Sequence, residues 1–249
     1  MGKFFTISVK PHIPALPAGQ HGAFGDNEVL FDWHAFDIPK GASKLINATI
    51  EIRPRPDTTA TMQQLDFEMY MAKTLRGEAP PSLGTVNSAT TADTNYGGHL
   101  IWFMDGASWN GHEAHLDSTA FCTLKGNIPQ QMGMVVQGEP DSGTNVGYDR
   151  IYLGGITAGA FDFRSLIRIN NGVLDEDIFT VDGADPRLSF RPGDDIVAYD
   201  GSIEKALGTI KSMPDEYTIR LDATTETAVV DGDFIYNKAP ITINLHFER

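Results

Sequence analysis

The segment RPGDDIVAYDGSIEKALGTI, residues 191–210, has the pattern of two β-strands joined by a tight turn. The Gly-Asp-Asp sequence at 193–195 turns the chain into the first strand, and Asp200 with Gly201 supplies residue types that tight turns favour. A glycine inside a strand gives up side-chain packing, so we expect Gly208 to mark a bulge or a close backbone approach. No histidine or lysine lies close to the acidic pair in sequence. We therefore interpret the segment as architecture and not as a catalytic site.

The same two-residue period recurs in KLINATIEIRP (44–54), QLDFEMYMAK (64–73), EYTIRLDA (216–223) and TINLHFER (242–249). Strict alternation of apolar and polar residues predicts antiparallel strands with one buried face. The predicted core-facing residues are Ile46, Ala48, Ile50, Ile52, Leu65, Phe67, Met69, Met71, Tyr217, Ile219, Leu221, Ile243, Leu245 and Phe247. The apolar runs HLIWFMDG (99–106), GMVVQGEP (133–140) and DRIYLGG (149–155) predict strands that are buried on both faces.

Helical patterns are scarce. FDFRSLIRINNG (161–172) has the spacing of one short helix, although its alternation would equally suit a strand. The fold class we predict is all-β, with an antiparallel β-sandwich or jelly-roll-like domain at residues 1–175. Turn-forming and acidic residues cluster at 172–190, so we place a domain boundary there and a second domain at 176–249. The segments 74–99 and 105–118 are expected to be long loops that serve as contact surfaces.

The formal net charge of −14 excludes several classes of function. Unassisted binding to nucleic acid requires a basic surface, and so does docking on an anionic membrane. Cys122 is the single cysteine, so an internal disulfide cannot form. The apolar run between Lys3 and Lys10 is too short for the core of a signal peptide, and we expect no membrane segment.

Two clusters raise the possibility of a metal site. In GHEAHLD (111–117), the residues His112, Glu113, His115 and Asp117 are of types that ligate transition metals. Their spacing of three differs from the four of the His-Glu-x-x-His helix, and a polar loop with solvated histidines is the alternative. The second cluster is acidic and could hold calcium or form a solvated turn. It consists of Asp175, Glu176, Asp177, Asp182 and Asp185.

Other chemistry has little support in the sequence. There is no Gly-x-Ser-x-Gly elbow and no glycine-rich phosphate loop before a helix, so we predict neither catalytic residues nor a cofactor. Cys122 follows Phe121 and is interpreted as a buried structural thiol. Trp33, Trp102 and Trp109 could stack on a carbohydrate, and Trp109 is the best candidate of the three because of its glycine-rich surroundings.

The C-terminal part resembles a known kind of module. FRPGDDIVAYDG (190–201), ALGTIKSMPDEYTIRLDA (206–223) and VVDGDFIYNKAPITINLHFE (229–248) look like the small β-barrel or β-tulip modules of tailed-bacteriophage virion proteins, including the capsid-decoration proteins of lambdoid phages. LFDWHAFDIPKGASKLINATIEI (30–52) and DFEMYMAKTLRGEAPPSLGT (66–85) are similar to structural proteins of marine tailed phages.

The resemblance implies a virion structural protein, of the capsid decoration or cement type, that binds the major capsid protein or other virion subunits. It also implies a homo-oligomer that is assembled in the bacterial host cytoplasm, with no catalytic residues. A tail or baseplate accessory protein is the nearest alternative. Two others are a carbohydrate-binding or adhesion module at Trp109 and a metal hydrolase at His112, His115 and Asp117.

Overall fold

A computed structural model of the chain describes residues 3–14, 23–59, 67–88, 98–104, 109–116, 119–126, 134–139, 148–172 and 174–249, with the backbone alone for 102–104, 109–116 and 119–126. These residues form β-strands, turns and one 3-10 turn at Pro186–Leu188, and no α-helix occurs among them. The predicted all-β class is confirmed. The strands are β1 (Phe4–Val9), β2 (Ala23–Phe24), β3 (Val29–Pro39), β4 (Ser43–Ile52), β5 (Phe67–Lys73), β6 (Leu100–Met104), β7 (Trp109–Leu116), β8 (Thr119–Gly126), β9 (Met134–Val136), β10 (Tyr148–Thr157), β11 (Phe161–Asp162), β12 (Arg168–Asn170), β13 (Ile178–Asp182), β14 (Asp195–Tyr199), β15 (Glu204–Asp215), β16 (Thr218–Leu221), β17 (Phe234–Asn237) and β18 (Ile241–Glu248).

Two antiparallel sheets form a sandwich. The first sheet has the order β1-β18-β4-β8-β7, with β9 also paired to β4, and the second has the order β3-β10-β5-β6. Their facing sides share one core, in which Leu45 and Ile50 of the first sheet join Met69, Met71 and Leu153 of the second. The alternation that the sequence shows therefore becomes the inner and outer sides of a sandwich.

One predicted buried face is wrong at Ile46, because β4 has a β-bulge there. Ile46 was expected in the core, but it is 39% exposed, whereas Leu45 is fully buried. Asn47 pairs with His246 and Leu45 pairs with Phe247, so β4 has one more residue here than β18. The extra residue shifts the alternation by one position, because side chains on a strand change face at every residue.

The other faces predicted from alternation are largely confirmed, but the run 133–140 is not buried on both faces, because Val135 is 66% exposed. Phe67, Met69 and Met71 are fully buried in the second sheet, and Ile243, Leu245 and Phe247 are fully buried in the first. Leu65 lies outside the described residues. Tyr217 is 59% exposed, because it belongs to the turn before β16 and not to the strand itself.

Six strands close into a barrel in the order β12-β13-β16-β15-β14-β17. Arg168 pairs with Phe234 to close the ring, and the interior holds apolar residues from all six strands. The segment 161–172 contributes β11 and β12, so the strand alternative was correct and the helix was not. The bulge predicted at Gly208 is confirmed, since Ile196 pairs with Gly208 and the next residue of β14 pairs with Ala206.

The predicted domain limits of 1–175 and 176–249 do not coincide with the sheets. The barrel begins at Arg168 and ends at Asn237, and β18 returns to the first sheet, where it lies between β1 and β4. The alternation in TINLHFER shows that this strand has one buried face. The choice of the sheet that covers this face depends on contacts with residues more than 180 positions earlier.

The Gly-Asp-Asp sequence joins the two units. Asp194 precedes β14, and its Oδ1 accepts a hydrogen bond of 2.8 Å from Nη2 of Arg53, which follows β4. Its Oδ2 accepts the N–H of Arg191 at 2.8 Å. Nearby, the Ser189 hydroxyl donates to the carbonyl of Arg55 at 3.1 Å. The bonds of Asp194 to Arg53 and of Ser189 to Arg55 fix one end of the barrel to the sandwich, which gives Asp194 a structural role.

Candidate contact surface

The predicted histidine cluster lies in a strand and not in a loop. His112, Glu113 and His115 belong to β7, which pairs with β8 from Trp109 to Leu116, and Asp117 lies outside the described residues. Positions three apart in a strand lie on opposite faces of its sheet. Among the described residues, no group of three or more histidine, cysteine or acidic side chains is arranged to hold a metal.

The three tryptophans occupy three strands of two sheets. Trp33 lies in β3 and Trp102 in β6, both in the second sheet, whereas Trp109 begins β7 in the first. Nε1 of Trp33 donates to the carbonyl of Pro81 at 2.7 Å, which ties part of the predicted loop 74–99 to the sheet. Cys122 lies in β8, opposite Ile52.

The acidic cluster at 175–185 is divided by β13. Residues 175–177 precede this strand, whereas Asp182 ends it and Asp185 caps the 3-10 turn. The guanidinium of Arg187 bonds to the Asp185 carboxylate at 2.8 Å and lowers the pKa of that group. The five carboxylates therefore lie at two ends of a strand and do not form a calcium cage.

One end of the barrel exposes apolar side chains. Three turns meet there: 171–177 between β12 and β13, 200–203 between β14 and β15, and 222–233 between β16 and β17. We call this region the distal end, since the opposite end contacts the sandwich through Asp194. Four apolar residues at the distal end are exposed, out of ten large apolar residues exposed in the described part of the chain. They are Leu174 (51%), Ile178 (41%), Ile203 (58%) and Val230 (55%).

Backbone hydrogen bonds join the first and third turns of the distal end. The N–H of Asp175 donates to the carbonyl of Thr225 at 3.0 Å, and the N–H of Thr225 donates to the carbonyl of Glu176 at 2.9 Å. The N–H of Asn171 donates to Oδ1 of Asp231 at 3.3 Å. These bonds place Leu174 and Val230 on neighbouring turns of one surface.

A partly buried lysine joins the second turn to the third. Nζ of Lys205 lies 3.1 Å from Oδ2 of Asp200 and 3.0 Å from Oδ2 of Asp233, and the Asp233 side chain is only 3% exposed. This bridge connects the turn that carries Ile203 with the turn that carries Val230. All three turns therefore form one continuous surface with fixed geometry.

Local bonding holds each exposed residue in position. Oδ1 of Asp200 accepts the hydroxyl of Ser202 at 2.7 Å and the N–H of Ile203 at 3.0 Å, and these bonds hold the pKa of Asp200 well below its ordinary value. In the third turn, Val229 is 2% exposed and packs in the barrel core, while Val230 points outward. The buried Val229 holds this turn in place. The exposure of Val230 is therefore a consequence of the fold and not of a mobile turn.

The distal end is strongly acidic. Residues 171–178, 200–204 and 222–233 contain nine carboxylates and neither lysine nor arginine. Six of the carboxylates belong to exposed residues, which are Asp175, Glu176, Asp200, Asp222, Glu226 and Asp231. Apolar residues surrounded by charged ones are the usual anatomy of a protein–protein interface. From the sequence, residues 175–177 were expected at a domain boundary, and this surface was not predicted.

Two further exposed apolar residues, Phe4 and Val135, lie on the outer side of the first sheet. The cross-strand register aligns Phe4, Glu248, Lys44 and Val135 in one row over β1, β18, β4 and β9. Phe4 is 70% exposed and Val135 is 66% exposed. The molecule thus has exposed apolar residues on both of its units.

No protein-family model matches this sequence, and no curated protein matches it. No helix among the described residues is long and apolar enough to cross a membrane.

Proposed function

We propose that this chain is a structural protein of a tailed-bacteriophage virion, of the capsid decoration or cement type. The four exposed apolar residues at the distal end, three on its hydrogen-bonded turns and Ile178 at the start of β13, carry the proposal. The resemblance of residues 190–248 to virion β modules adds to it, and the all-β fold is compatible with it. The proposed partners are the major capsid protein or other virion subunits, and assembly would take place in the host cytoplasm.

A bridging protein requires two contact surfaces held at a fixed separation. The distal end supplies one, and the row containing Phe4 and Val135 supplies the other. The Arg53–Asp194 pair, with an N–O distance of 2.8 Å, helps to fix the two units to each other. Burial of the exposed apolar area at about 25 cal/mol per Å² would then stabilise neighbouring capsid subunits against separation.

Co-sedimentation with purified capsids and, separately, with purified tails tests the proposal. We expect the chain to pellet with capsids and to raise the temperature at which they disrupt. The double variant Leu174→Ser with Val230→Ser should lose this binding, and Tyr217→Ser should retain it, because Tyr217 is equally exposed at the other end of the barrel. Pelleting with tails alone would favour the tail or baseplate alternative. Failure to pellet with either particle would refute a virion role.

A further inference from the structure

We infer that the distal end docks on a cationic protein surface in which lysine or arginine side chains surround an apolar recess. This inference deepens the proposed function, because it specifies the chemistry of the subunit surface that the barrel contacts. It rests on two observations together, namely the four exposed apolar residues and the sign of the charge around them.

The cations near the distal end are already engaged. Lys205 bridges Asp200 and Asp233, and Nε of Arg220 lies 3.5 Å from Oδ2 of Asp177. In the described part of the chain, no ion pair involves the exposed carboxylates of the distal end other than Asp200. These are Asp175, Glu176, Asp222, Glu226 and Asp231. A partner that supplies cations would complement charge that the described residues leave uncompensated.

The same charge argues against a second copy of this chain as the occupant. Two distal ends placed face to face would bring six exposed carboxylates on each side together, while the nearby Lys205 and Arg220 are already paired with carboxylates of their own copy. Like charges opposed across an interface cost several kcal/mol. A homo-oligomer would therefore form through a different face and leave the distal end free for the partner.

The apolar residues make the site more than a charged surface. Leu174 and Val230 lie on turns that bond to each other, and the Lys205 bridge joins the turn that carries Ile203 to the turn that carries Val230. A cation-only ligand would leave these side chains exposed, whereas a ligand that alternates cations with apolar groups would cover them. We therefore expect affinity to require both kinds of group, with charge accelerating association.

Synthetic peptides can test this with the full-length chain. The probes are a peptide of alternating lysine and leucine, one of alternating lysine and serine, and one of alternating glutamate and leucine. Hydrogen–deuterium exchange should show protection by the first peptide at turns 171–177, 200–203 and 222–233. We expect at least about tenfold weaker binding of the second peptide, equivalent to about 1.4 kcal/mol, and no binding of the third.

Variants separate the contributions of the apolar and the charged residues. Leu174→Ser with Val230→Ser should weaken binding of the lysine-leucine peptide about tenfold. Asp175→Asn with Glu176→Gln should weaken it at low salt and have little effect above about 0.5 M salt, where charges are screened. The matched controls are Tyr217→Ser and Glu216→Gln, at the other end of the same barrel, and both should bind normally.

The inference is overturned if the protected residues lie elsewhere, or if the lysine-serine peptide binds as tightly as the lysine-leucine peptide. It is also overturned if the chain binds capsids but distal-end variants and salt leave that binding unchanged, an outcome that would leave the virion role intact. Peptide binding at the distal end without binding to any particle would support the inference and reject the virion role.

Discussion

Replacing Leu245 with alanine should destabilise the sandwich although the residue lies beyond the barrel in sequence. Leu245 is fully buried in β18, and it pairs with Ile7 on one side and Ala48 on the other. Strands flank it and the second sheet covers it, so the cavity has little room to collapse. Leucine-to-alanine changes at such positions cost about 3 to 5 kcal/mol. With a urea m-value of about 2 kcal/mol per M, the unfolding midpoint should fall by about 2 M.

Tryptophan fluorescence is a suitable assay, because Trp33, Trp102 and Trp109 all lie in the sandwich and residues 168–237 contain no tryptophan. Thr242→Ala, on the outer side of the same strand, should change the free energy of unfolding by less than about 0.5 kcal/mol. Ile219→Ala, fully buried in the barrel core, is the comparison for the other unit. If Leu245→Ala leaves the tryptophan midpoint unmoved while Ile219→Ala shifts it, our placement of β18 in the sandwich is wrong.

Three further predictions concern the barrel. Gly183→Ala should lower the thermal midpoint far more than Gly201→Ala: both have a φ of +94°, but a Cβ at Gly183 would lie 1.9 Å from the carbonyl oxygen of Leu166, whereas Gly201 has nothing within 4 Å. Equal shifts in circular dichroism melts would contradict this. Since folding lowers the pKa of Asp200, its stabilisation is complete above the unfolded pKa of about 3.9 and is lost as pH falls. The urea midpoint of Asp200→Asn should therefore approach that of the wild type in acid, and a constant difference would refute the argument. Burial raises the pKa of Tyr236 to about 12, so its stabilisation is complete below the unfolded pKa of about 10 and is lost as pH rises through about 12. Absorbance titration of Tyr236→Phe should lack the last tyrosine step, and an unchanged titration curve would argue against this assignment.

Much of the fold follows from local patterns. Alternation identified the buried faces of β5 and β18, because a strand with one buried face repeats every two residues. Gly208 marked the bulge in β15, because a glycine inside a strand is typical of a bulge. The bulge at Ile46 had no comparable signal, since neither glycine nor proline lies within it. The pairing of β4 with β18 places the extra residue, and that pairing joins positions about 200 residues apart in sequence.

The sequence indicates the separate turns of the candidate contact surface but not the fact that they meet. Leu174, Ile203 and Val230 are apolar residues within acidic turns, and this was a signal that the sequence contained. Nothing local shows that the three turns meet, because the Lys205 bridge and the bonds of Thr225 join segments that are 28 to 50 positions apart. Conversely, the acids at 175–177 and at 182–185 are neighbours in sequence, and β13 separates them in space.

The sequence by itself determined the all-β class, the turns and most of the buried faces, because short-range alternation and turn chemistry act through neighbouring residues. Only the tertiary structure decided that residues 241–248 complete the sandwich and that three acidic turns form one surface with exposed apolar residues. The physical reason is that backbone hydrogen bonds between strands do not depend on side-chain identity. The choice of partner strand is made by the packing of whole faces, which no single segment encodes. The Gly-Asp-Asp sequence shows the same division: its turn is local, whereas its ion pair with Arg53 exists only after the two units meet.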